Sequence, residues 1–169
     1  EKKLGIVVAL RGPQGVGKTF FGEIMAELIH EKHFLRVESL DRITGRFNDH
    51  LASKLLILAD EAIWGGDKKN ESKLKSLITA STISVEPKGL KTFTVNNYMR
   101  FIMTSNEHWM APISDDDRRY FVLDVGERNK NDREYFHSIV EQMSTEKGFQ
   151  KLMHILTTRD ISKLNWKDI

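Results

Sequence analysis

The chain has no cysteine, which excludes disulfides and thiolate metal sites and suits a cytoplasmic location. Nowhere does an apolar run reach the length of a membrane span, and the first residues show no secretory-signal pattern, so no membrane partner is expected. Prolines number only three, and neither an internal repeat nor a low-complexity segment is present, which excludes linker-like and solenoid architectures. The formal charge of +2 is too small to announce a nucleic-acid partner by itself. What remains is 169 residues, 40% apolar and 30% charged: one domain, long enough to bury a core. Because it opens at Glu1 without Met and enters a strand almost at once, it is expected to be excised from a longer protein.

One stretch organises the rest. Gly12-Pro13-Gln14-Gly15-Val16-Gly17-Lys18-Thr19 follows an apolar run over residues 4–10 and opens a segment of helical periodicity over 20–31. This is the G-x-x-x-x-G-K-[ST] pattern in the strand–loop–helix setting that it requires. Glycines let the backbone curl so that several N–H groups face one phosphate. The helix N-terminus adds partial positive charge, Lys18 is placed to reach terminal phosphates, and the Thr19 hydroxyl is placed to ligate Mg²⁺. The predicted nucleotide-binding set is Gly12 to Thr19 together with the next residue, Phe20.

Residues 55–59 form a second buried strand ending in Asp60-Glu61. Carboxylates at the carboxyl end of an apolar strand lie where α/β sheets hold ligands. Downstream of a phosphate loop, Asp60 is expected to help hold Mg²⁺ and Glu61 to polarise the attacking water. Between these motifs, 34–38 reads as a short strand, and Leu40, Ile43, Phe47 and Leu51 predict an amphipathic helix interrupted by Gly45. His30 and His33 read as a helix end rather than ligands, because no third ligand lies near them in sequence.

After a Gly65-Gly66 loop, Leu74, Leu77 and Ile78 mark a short helix on which Lys68, Lys69, Lys73 and Lys75 read as a solvated face. Two alternating runs flank Pro87-Lys88-Gly89-Leu90 and predict a β-hairpin with a basic tip, Lys88 and Lys91. Such a tip either blunts an open sheet edge or touches a phosphate backbone. Residues 98–104 form a further strand ending in Ser105-Asn106, with Asn106 placed to orient a water. A loop over 107–116 with Pro112 and an acidic run leads to Arg118-Arg119, and 120–125 is another strand. Paired arginines suit phosphate recognition, or one of them pairs with an adjacent aspartate. From 129 onward the pattern is helical, its apolar positions read as packing, and Trp166 is expected to tie down the end.

With Asp60-Glu61, the basic hairpin, Thr104-Ser105-Asn106 and Asp117-Arg118-Arg119 following the phosphate loop in that order, the chain resembles a superfamily 3 helicase domain. That family is the AAA+-type motor of small DNA viruses, phages and plasmids, and the likeness is to the helicase portion of primase–helicase proteins. It covers roughly residues 4–125 and places Walker A on 12–19, Walker B on 55–61, the hairpin motif on 74–91 and the sensor strand on 101–106. The resemblance implies an α/β P-loop NTPase fold, with a central, mainly parallel β-sheet flanked by helices, a hairpin before the sensor strand and a small helical C-terminal part. The ATPase core is then 1–127 and the extension 128–169.

The family further implies ATP and Mg²⁺ as cofactors and a homo-oligomeric, hexameric ring. Each neighbour would supply an arginine finger, here Arg118 or Arg119, and hairpin tips would grip single-stranded DNA through Lys88, Gly89 and Lys91. Gly89 stands where some members carry a second cation or His, with Lys91 the nearest substitute, and the tip itself has no aromatic residue. A primase domain is implied upstream. The expected activity is ATP-driven translocation on single-stranded DNA and duplex unwinding in replication. Catalysis would fall to Lys18, Glu61, Asn106 and an arginine, with Thr19 and Asp60 at the metal. An ATP-switched initiator that does not unwind, or a small-molecule nucleotide kinase, are the alternatives.

Overall fold

The computed structural model describes residues 3, 5–63, 68–106, 117–145 and 147–162. The Gly65-Gly66 loop, the 107–116 loop and Trp166 lie outside the described residues. Apolar residues at successive positions of a strand face opposite sides of a sheet, so a continuous apolar run demands cover on both faces. Five strands answer that demand: β1 (Val7–Arg11), β2 (Phe34–Ser39), β3 (Leu56–Ile63), β6 (Arg100–Ser105) and β7 (Tyr120–Asp124). They form one sheet in the order β2-β3-β6-β1-β7, every pairing parallel.

Helix α1 (Lys18–Glu27) covers one face, packing Met25 on Leu10, Leu56, Leu58 and Ile102. Gly22 brings it very close: a Cβ there would stand 2.6 Å from Leu58 Cδ1. The opposite face carries the larger cluster, in which Val7, Ile57, Phe101 and Met103 meet α2 (Asp41–Thr44) and α3 (Lys68–Thr79). Strands β4 (Thr82–Val85) and β5 (Phe93–Asn96) form the separate antiparallel hairpin and bury Ile83 and Val85 in that same cluster. Asn97, 3% exposed, ties the hairpin's end to α3 by donating to the Leu77 and Ala80 carbonyls at 2.8 and 2.9 Å. After β7 come α4 (Arg133–Thr145) and α5 (Gly148–Thr158), neither with a buried residue.

The α/β class and the parallel sheet match expectation, and three local expectations do not. The helix predicted over 40–51 is the single turn α2, closed by the Gly45 N–H on the Asp41 carbonyl at 2.8 Å, and the chain is extended at Gly45. Glycine is a poor helix interior, and a 3₁₀ turn at Asp49–Leu51 buries Leu51 anyway. Strand β3 does not end at Asp60-Glu61: β6 pairing stops at Asp60, but Ser39 of β2 pairs onward with Ile63. The lysines of α3 are not all solvated, since Lys73 donates to the Thr44 carbonyl at 2.6 Å and Lys75 pairs with Glu71 at 2.5 Å. No helix among the described residues is long and apolar enough to cross a membrane.

Candidate active site

Parallel pairing aligns the carboxyl ends of β1 and β6 with the point at which β3 parts from β6, with Arg11 beside Ser105 and Thr104 beside Asp60. Everything carried just beyond those ends therefore meets in one place. The loop after β1 is anchored by the Gly12 N–H on the Ser105 carbonyl at 3.2 Å. It turns through positive φ at Gly15 (84°) and Gly17 (94°), a region that side chains disfavour, and enters α1 at Lys18. Val16 is buried as an anchor within the loop.

Lys18 is only 5% exposed. Its ammonium donates to the carbonyls of Gly12 (2.8 Å) and Pro13 (2.9 Å) and to Asn106 Oδ1 (2.7 Å), so all three protons are used. Burial lowers its pKa, against the opposing pull of the Glu61 and Asp60 charges. The other end of Asn106 donates from Nδ2 to Glu61 Oε1 at 2.5 Å, which links the lysine to the carboxylate through one amide.

Asp60 and Glu61 are neighbours with opposite surroundings. Asp60 is 6% exposed, and its Oδ1 accepts from the hydroxyls of Thr19 and Thr104, both at 2.7 Å, while its Oδ2 accepts from Arg36. Arg36 also reaches Glu23 on α1 at 2.9 Å. Glu61 is exposed and takes a left-handed backbone, φ 49°, a conformation costing about 1–3 kcal/mol in a residue with a Cβ. Its N–H is held by Thr104 Oγ1 at 3.0 Å. The kink turns consecutive residues of one strand to different tasks: one carboxylate is locked into the sheet's end, and the other is left reachable.

A cavity of about 290 Å³ opens over this cluster, walled by Gln14, Gly15, Gly17, Lys18, Thr19 and Glu61. Phe20 and, from α4, Phe136 complete it, their rings edge to face at 5.2 Å. The segment before α4 is bonded to the loop itself, with the Asn131 N–H on the Gly15 carbonyl at 2.9 Å. Asp132 caps α4 by accepting from the Tyr135 N–H at 3.0 Å. The apolar positions after 129, read from sequence as packing, thus include a wall of the cavity. An oxygen-only pair such as Thr19 and Asp60 is the donor set a hard divalent cation uses, and phosphates suit the loop's N–H groups and buried ammonium.

Lys18, Thr19, Asp60, Glu61 and Asn106 are therefore brought together, with Gly12, Pro13, Gln14, Gly15, Val16, Gly17 and Phe20 around them. The arginines are not. The Arg119 carbonyl accepts from the Val7 N–H at 2.7 Å, which places both arginines at the amino end of the sheet, about 16 Å of strand away. Arg119 is bound to Asp117 at 2.9 Å, and Arg118 is exposed with no partner among the described residues. At the hairpin, Lys88, Gly89 and Lys91 are exposed, beside Leu90 (73%) and Phe93 (47%).

Sequence reasoning missed Arg36, Thr104 and Phe136 as site residues. A lone cation in the apolar run Phe34-Leu35-Arg36-Val37 was the available signal for the first. Thr104 sat within a recognised motif without a role. Phe136 gave no signal, since its helical spacing is that of any packed residue.

Residues 10–119 match the family described as Family of unknown function (DUF5906). The chain is 27% identical over 170 residues to the DNA Primase-polymerase of Nitratiruptor phage NrS-1, covering 98% of this chain and 23% of that relative's length. Two apo structures of the NrS-1 C-terminal region superpose with TM-scores of 0.69 and 0.67 at 25% identity, over 83% of this chain and 35% of theirs.

Proposed function

We propose, from the premise that the chain belongs to the family described as Family of unknown function (DUF5906), that it is the ATP-driven motor portion of a DNA replication protein. The reading is of a P-loop NTPase of superfamily 3 helicase type. The observation that carries it is the convergence of Lys18, Thr19, Asp60, Glu61 and Asn106 at the carboxyl ends of three adjacent strands. The likeness to a phage DNA primase-polymerase supports the replication setting. Since the chain spans under a quarter of that relative, the activity and partners of the whole protein belong to the proposal.

In this reading ATP lies along the loop and Lys18 exchanges its carbonyl and Asn106 bonds for β- and γ-phosphate oxygens. Thr19 and Asp60 would hold Mg²⁺, which when bound neutralises phosphate charge. Asn106, released from Lys18, holds Glu61 toward the water, and Glu61 takes its proton. Arg119 is committed to Asp117, so Arg118 is the finger, and from the amino end of the sheet it serves a neighbouring subunit's nucleotide in a ring. Lys88 and Lys91 at the hairpin tip contact the backbone of single-stranded DNA, independent of sequence.

The test is ATP hydrolysis over a protein concentration series, with and without single-stranded DNA, beside strand displacement of a forked duplex and a Lys18→Ala control. Turnover that climbs with concentration and DNA and vanishes in the control is the expected result. Turnover flat in both, or ATP binding and assembly without strand displacement, would overturn the motor and leave an ATP-switched initiator. ADP production that rises with an added nucleoside or nucleotide in the absence of DNA would make it a kinase.

A further inference from the structure

The cavity is lined by two chemically different sets of residues. Lys18, Thr19 and Glu61 are the polar set, and Phe20 and Phe136, ring against ring, are the aromatic one. An inorganic polyphosphate has use for the first alone, since phosphates are held by N–H groups, cations and hydroxyls.

Phe136 is also held in place. A Cβ added to Gly17 would stand 2.6 Å from its Cε1, so the ring lies directly on that glycine of the loop. Its edge-to-face contact with Phe20 is at an interplanar angle of 70°, which leaves the pair as two faces of a corner rather than a closed stack. The chain leading into it is pinned by the Asn131 N–H bond to the Gly15 carbonyl, with Asn131 at φ 58°, a turn conformation that asparagine readily takes.

We infer that Phe136, with Phe20, forms the wall against which a nucleobase lies, so that the helical part after β7 is a component of the nucleotide site. This rests on the loop being a nucleotide site, and it adds where the nucleoside goes. With the terminal phosphate between Lys18 and Glu61, the chain of phosphates leads along the loop past Gly17, and the aromatic corner is the next surface it meets. A phenyl face accepts the π-face of any base, so the wall gives affinity for nucleosides with little choice among them.

Calorimetric binding of ATP and of inorganic tripolyphosphate, each with Mg²⁺, to the full chain tests this in wild type, Phe136→Leu, Phe136→Tyr and Lys18→Ala. Phe136→Leu is expected to weaken ATP about tenfold and to leave tripolyphosphate within about twofold, while Phe136→Tyr keeps both. Lys18→Ala weakens both ligands. Equal weakening of both by Phe136→Leu would make the ring a mere prop for the loop and sink the inference, as would no change in either. A wild type that binds neither ligand would instead remove the nucleotide reading, and this inference with it.

Discussion

The two ends of the central sheet both carry charged and polar residues and use them differently. At the carboxyl end, Lys18, Asn106 and Glu61 are bonded in series beside an open cavity. At the amino end, Arg119 and Lys75 both pair with Asp117 beside Tyr120, and Arg118 has no partner among the described residues. Burial would push the Asp117 carboxyl up, but bonds from the Arg119 backbone and side chain and the charges of Arg119 and Lys75 hold it below the usual range. Lys3 nearby is lowered to about 8 by burial and then by the charge of Arg100. One end leaves its charged groups beside an open cavity, and the other holds Asp117 in internal ion pairs. Under the proposed function, chemistry and assembly would thus divide between opposite ends of one sheet.

The comparison is sharpened first by Arg118→Ala. If it is the finger, turnover should fall by about 10³-fold or more while ATP affinity is kept, and mixing with Glu61→Gln subunits should restore part of it. Equal loss in Arg118→Ala and Arg119→Ala, with equal rescue, would erase the distinction drawn between them. Next, Glu61→Gln should lower turnover about 10²–10⁴-fold without weakening nucleotide binding, measured by steady-state kinetics and calorimetry.

Smaller effects belong to the amino end. Arg119→Ala should cost stability, about 1–2 kcal/mol in urea unfolding, because it leaves the buried Asp117 carboxylate short of its main partner. Smallest is a pH effect at Tyr120, whose hydroxyl is pushed up to about 12 by burial and then by the charge of Asp117. Below about pH 10 folded and unfolded chains both keep that proton, and above it the unfolded chain loses it first. The Tyr120 contribution to stability therefore falls from about pH 10 to about 12, and Tyr120→Phe should flatten that fall in thermal melts. Parallel curves for the two proteins would contradict it.

What could be read from sequence followed from how narrowly chemistry limits residue type. The G-x-x-x-x-G-K-[ST] pattern leaves few alternatives at Gly12, Gly17, Lys18 and Thr19, and Asp60, Glu61 and Asn106 stand out by following apolar runs. Contacts made through space carried no such mark. Arg36 reaches Asp60 from the neighbouring strand, Phe136 arrives from a helix more than a hundred residues after the loop, and neither spacing is encoded locally. The overlong helix at 40–51 arose because apolar periodicity survives a break at Gly45 when a second turn restores the same burial. That Arg119 rather than Arg118 pairs with Asp117 was not legible, because adjacency alone offers the aspartate to both.

Gly22 has one more consequence. The distance between the loop and the carboxylates is set by an atom that is missing, because α1 rests on Leu58 where any side chain would meet a fully buried neighbour. Interiors packed at crystalline density yield little to such an intrusion. The alignment of Thr19 with Asp60 is thus adjustable from a position that bears no functional group. That makes Gly22 a natural dial for anyone wishing to grade the site rather than abolish it, each added methylene tilting the helix before it alters any charge.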